Sequence, residues 1–146
     1  MAPRAFARDD RRDVGAGSRH HAPVTVPQLR QIGAAKVLVL PDSGPDIGTV
    51  DDAIQLIGDT ASSGADTVVV PVARLHPDFL VLRTRMAGEF TQKFVTYGRR
   101  LVLLGDLSLA LIDSDALRDY VREANRGDSV WFFADWPELE RRLAGD

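Results

Sequence analysis

Four short apolar runs constrain this chain more than anything else in it. They are Lys36–Leu40, the Val68-Val69-Val70 triplet within Asp66–Pro71, Leu101–Leu104 and Ser129–Phe133. Their cores do not alternate apolar with polar residues. Each therefore reads as a strand buried on both faces, the pattern of a parallel sheet covered by helices. The stretches between them repeat at helical spacing. Thr49 caps Val50, Ala53, Ile54 and Ile57, with Asp51 and Asp52 in the first turn and Gly64 at the end. Ala87, Phe90, Phe94 and Tyr97 share one face of a second helix that starts near Thr84 and closes at Gly98. Gly88 inside it implies a close backbone approach. Asp113 or Ser114 caps a third helix with a Leu117, Tyr120, Val121, Ala124 stripe, ended by Gly127. Asp135 caps a short last helix with Leu139 and Leu143 inward. Val24–Ile32 comes first, and Pro27 makes it an edge or initial strand. The order is β-β-α-β-α-β-α-β-α. It predicts a single α/β domain over residues 24–146, with a mostly parallel four- to five-stranded sheet and helices packed on it.

Composition removes several function classes. The 146 residues suffice for one domain. Lys plus Arg is 18 against 21 Asp plus Glu, a formal charge of −3, so nucleic acid is not expected as a partner. Cysteine is absent, which excludes disulfides, thiolate catalysis and iron–sulfur clusters. His20, His21 and His76 are too scattered for a metal site, and neither metal nor cofactor is expected. No apolar run approaches the ~18 residues of a membrane span, and no secretory signal is visible. A cytoplasmic protein without membrane contact is the expectation. Residues 1–23 hold five arginines against three aspartates and one large apolar residue, Phe6, in the first thirteen. That predicts a disordered N-terminal tail.

Two stretches carry a family likeness. The first is Met86-Ala-Gly-Glu-Phe-Thr-Gln-Lys-Phe-Val-Thr-Tyr97. The second is Leu104-Gly-Asp-Leu-Ser108 with Ser114-Asp-Ala-Leu-Arg-Asp-Tyr-Val-Arg-Glu-Ala-Asn-Arg-Gly127. Together they resemble the bacterial family called domain of unknown function 4180, through Glu89, Gln92, Lys93, Phe94, Tyr97, Gly105, Asp106, Ser108, Leu117, Arg118, Asp119, Glu123, Asn125 and Gly127. That resemblance implies positions and no activity. The element order is also similar to that of the STAS domain, the fold of anti-sigma-factor antagonists. Asp106–Leu117 looks like the STAS stretch ending in D-S-S-G-L, whose serine is a phosphorylation switch. Ser114 matches that serine, with Asp115-Ala116 in place of Ser-Gly. Helix capping explains Ser114 without a switch.

Ligands of open α/β sheets bind beyond the carboxyl ends of the strands. Asp106 and Ser108 follow the strand 101–105. Glu89, Gln92 and Lys93 lie on the second helix, and Arg118, Asn125 and Arg126 on the third. Converged, they would bind a polar or anionic small molecule, with Asp106 or Glu89 as a general base. Taken singly, they are surface ion pairs and caps. Loop 41–48 lacks a P-loop lysine, and the acidic first turn after it disfavours a phosphate. His76-Pro77 reads as a turn. Trp131 and Phe133 on the last strand, with Trp136, offer an aromatic surface for a protein partner or a homodimer, unless the last helix covers it. Phe79, Leu80 and Leu82 read as core or as partner-facing.

Two functions fit. The first is a non-catalytic regulatory or protein-interaction module. The alternative is a small-molecule binding protein or enzyme with a polar cleft at the carboxyl end of the strand 101–105.

Overall fold

A computed structural model describes residues 26–145. The expected tail at 1–23 and the first residues of the first strand lie outside that range. The elements are β1 (Gln28–Ile32), β2 (Ala35–Val39), α1 (Val50–Ser62), β3 (Thr67–Pro71), α2 (Met86–Tyr97), β4 (Arg100–Leu104), α3 (Ser108–Ile112), α4 (Asp115–Arg126), β5 (Val130–Phe133) and α5 (Trp136–Leu143). Short 3-10 turns at Val72–Arg74 and Leu82–Thr84 fill the β3–α2 connection. The predicted order holds, with α3 as an added element.

The five strands lie in the order β1-β2-β3-β4-β5. β1 runs antiparallel to β2, and every later pair is parallel, in register at Leu38 with Val68, Val69 with Val102, and Leu103 with Phe132. Each crossover thus steps one strand in the same direction. Right-handed crossovers then put all the connecting helices on one face. That face is the main core. Leu38, Val68, Val70, Leu101, Leu103, Val130 and Phe132 meet Ala53, Leu56 and Ile57 of α1, Phe90 and Phe94 of α2, and Tyr120 and Val121 of α4. Phe79 is fully buried here, edge-on to Phe90 at 5.3 Å, and Leu80 and Leu82 pack beside it. Among the described residues the opposite face is covered by α5. Val37, Val69, Val102 and Trp131 are closed off by Trp136, Leu139 and Leu143 of α5. This is why the β3 triplet carries no polar residue: Val68 and Val70 face three helices, and Val69 faces α5.

Thr49 caps α1 through a reciprocal box with Asp52, Ser114 caps α4 by accepting from the Leu117 N–H, and Asp135 caps α5. Three expectations fail: first, Ile54 of α1 is exposed, and Leu56 is buried instead. Tyr97 is exposed, because ten residues of helix fall about 80° short of whole turns. Thr91, four residues after Ala87, takes the inward place and bonds the Tyr120 hydroxyl at 2.9 Å. Gly88 meets no close backbone, since a Cβ there would point into open space.

Candidate functional site

The carboxyl end of β2 and β3 is crossed by its own loops, which leave a cavity of about 400 Å³ beside Pro41, Gly44 and Arg74. Ile47 and Leu75 form a parallel bridge: the Ile47 N–H donates to the Arg74 carbonyl at 2.7 Å, and the His76 N–H to the Ile47 carbonyl at 2.9 Å. Arg74, only 9% exposed, straps the loop by donating from Nε to the Pro45 carbonyl and from Nη1 to the Pro41 carbonyl. Gly44 sits at φ +147°, and a Cβ there would lie 2.8 Å from the guanidinium. The donors before α1 are also taken, because the Asp52 carboxylate accepts from the Gly48 and Thr49 N–H groups. Burial acts to raise its pKa, but these bonds and the Thr49 hydroxyl outweigh it, and the carboxyl stays below its ordinary range. His76 accepts the Asp78 N–H on Nδ1 and opens the turn.

At the end of β4 the chain bends sharply. Gly105 takes φ +150°, and a Cβ would come within 2.9 Å of the Val72 Cβ. Asp106 accepts the Ser108 N–H at 2.9 Å, which starts α3. The Ser108 amide, then its hydroxyl, hold the Asp106 carboxyl below its usual pKa, and the side chain is exposed. Arg118 reaches back from α4 to donate to the Leu111 and Ile112 carbonyls, the last of α3, and pairs with Asp115. Ser114 turns the chain between the two helices. So Asp106 and Arg118 fix the two ends of α3, and Ser114 starts α4 directly after it. The result is unusual for so short a helix: Leu109 is 82% exposed and Ile112 69% exposed. One turn apart, they stand on the same side of α3.

The other candidates have separate places. Glu89, Gln92 and Lys93 line a shallow cavity of about 490 Å³ with Val50 and Gly88, between α1 and α2. Asn125 lines another, of about 480 Å³, beside β5 and α5. Its amide donates to the Phe132 carbonyl at 3.0 Å and accepts the Phe132 N–H at 2.7 Å. Arg126 forms an exposed pair with Glu123. β5 is an edge strand, with Val130 and Phe132 in the main core and Trp131 and Phe133 in the second. Trp131 is 3% exposed and donates from Nε1 to the Gly127 carbonyl at 2.7 Å. Phe133 and Trp136 are half-buried, with Arg30 over the Trp136 ring at 4.4 Å. Among the described residues no three His, Asp or Glu side chains cluster as metal ligands, and no helix is long and apolar enough to cross a membrane.

Leu109 and Ile112 escaped the sequence reading. The signal was Ser108-Leu-Ala-Leu-Ile112 between Asp106 and Asp113, a run too short to bury every apolar residue once it is helical.

No curated protein and no solved structure matches the chain. The family profile described as Domain of unknown function (DUF4180) matches residues 32–143, which span β2 to α5 and both stretches that carry the likeness. The chain belongs to that family.

Proposed function

We propose that the protein is a non-catalytic docking module, regulatory in role, that offers α3 to a protein partner. One observation carries this. Two polar side chains, Asp106 and Arg118, hold a five-residue helix that leaves Leu109 and Ile112 standing in water. Burying Leu109 and Ile112 on a partner would contribute roughly 2 kcal/mol each by the area they remove from water. Asp106, Asp113 and Asp115 are exposed around them. The matching partner surface is therefore an apolar groove rimmed by arginine or lysine. The element order, similar to that of STAS domains, supports the same reading. Placing a photo-crosslinking residue at Leu109 and, as control, at the exposed Val95 of α2 tests it. One protein species is expected to crosslink at 109 and not at 95. The double variant L109S/I112S, with an unchanged melting temperature, is expected to lose that partner at least tenfold. Equal capture from both positions, or full capture by the double variant, refutes it.

A further inference from the structure

A second feature lies at the opposite end of the sheet, where the strands begin. A cleft of about 560 Å³ is bounded there by Ala35, Asp66, Arg99, Arg100, Asp128 and Arg142. That volume is typical of small-molecule sites. The three arginines come from the α2–β4 turn, the first residue of β4 and the last turn of α5. All three are half-buried, and a backbone carbonyl anchors each: Arg99 Nη1 on Ala65 at 3.2 Å, Arg100 Nε on Asp128 at 3.1 Å, and Arg142 Nη2 on Gly127 at 2.9 Å. Arg100 and Arg142 also lie over the same indole, with Cζ 4.4 and 4.3 Å from the centre of the Trp131 ring.

Two like charges against one ring repel, and an ion pair normally relieves this. Here the carboxylates of the cleft do not supply it. Among the described residues the ion pairs are Arg30–Glu140, Arg118–Asp115, Arg122–Asp119 and Arg126–Glu123, and none involves the three arginines of the cleft. Asp66 is committed elsewhere, accepting the Lys36 N–H on one oxygen and the Thr67 hydroxyl on the other. A guanidinium has five N–H donors, and each carbonyl anchor takes one. Three oriented forks therefore keep most of their donors for a guest. One fork satisfies a planar carboxylate, whereas several forks from different directions suit a tetrahedral anion with three acceptor oxygens.

The geometry points to a phosphate-binding site in this cleft, held by Arg99, Arg100 and Arg142, for free phosphate or a small phosphate monoester. It is independent of α3.

Inorganic phosphate and methyl phosphate are titrated separately into the full chain. Ionic strength is held constant with chloride, and the Trp131 indole N–H resonance, assigned with W136F, is followed. Both ligands are expected to give saturable shifts, and the tighter one identifies the source as free ion or ester. R99Q leaves the Trp131 stacking untouched and is expected to weaken binding at least tenfold. R100K keeps the charge without the fork and is expected to do the same. A linear shift that chloride reproduces overturns the proposal, and so does unchanged affinity in a folded R99Q.

Discussion

Asn125→Ala should cost this fold far more than a half-buried polar residue ordinarily does. β5 ends the sheet, so the Phe132 N–H and C=O point away from β4 with no strand beyond. The Asn125 side chain stands in for that strand, closing both groups at 2.7 and 3.0 Å. Each bond contributes about 1 kcal/mol net, and a group left unsatisfied under a residue only 4% exposed adds to the loss. The expected cost is about 3 kcal/mol, or roughly 10 °C in melting temperature for a domain of this size. Urea unfolding followed by circular dichroism measures it, and sedimentation velocity reports whether the uncovered edge begins to pair. Asn125→Asp separates the two halves of the contact. It keeps the acceptor for the Phe132 N–H but sets a carboxylate oxygen against the Phe132 carbonyl. At pH 7 it should be no more stable than the alanine variant. The opposing carbonyl raises the carboxyl pKa in the folded state, so stability returns as pH falls through that raised value and an O–H becomes the donor. A loss below about 1 kcal/mol for Asn125→Ala, or full stability of Asn125→Asp at pH 7, refutes the reasoning.

Three further outcomes are expected. Gly58→Ala and Gly88→Ala, each helical with open space where the methyl would go, should each stabilise by about 1 kcal/mol in urea titrations. Ser114→Ala should cost about 1 kcal/mol and Ser114→Asp almost nothing, since aspartate caps as well as serine. Asp52, whose folded pKa lies below the ordinary value near 3.8, contributes stability that is full above that value and lost as pH falls through the folded pKa. Asp52→Asn should therefore flatten the acid limb of the melting temperature measured against pH.

The sheet was legible because its strands are buried on both faces. Val68-Val69-Val70 admits no other reading once helices flank it, and the caps at Thr49, Ser114 and Asp135 followed from local chemistry. What escaped the sequence depends on contacts between distant residues. Asn125 read as a helix-end residue because its partner, Phe132, lies across a turn on the neighbouring strand. Arg118 read as part of a solvated face because the carbonyls it serves belong to a helix that periodicity could not reveal in five residues. Arg142 is far in sequence from Arg99 and Arg100 and joins them only in the cleft where strands begin, whereas ligands of open α/β sheets are expected where strands end.

The cover that α5 gives the second face also bears on how the chain is made. Every strand precedes α5 in the order of synthesis, and the three helices of the main core are complete before it. A growing chain can assemble that core first, with Val37, Val69, Val102 and Trp131 lacking the cover of α5 until Trp136–Leu143 has emerged. At 5–20 residues per second that interval lasts on the order of a second. During it the nascent sheet is a natural client for chaperones, and a message cut short before α5 yields a protein with the second face of its sheet open to water.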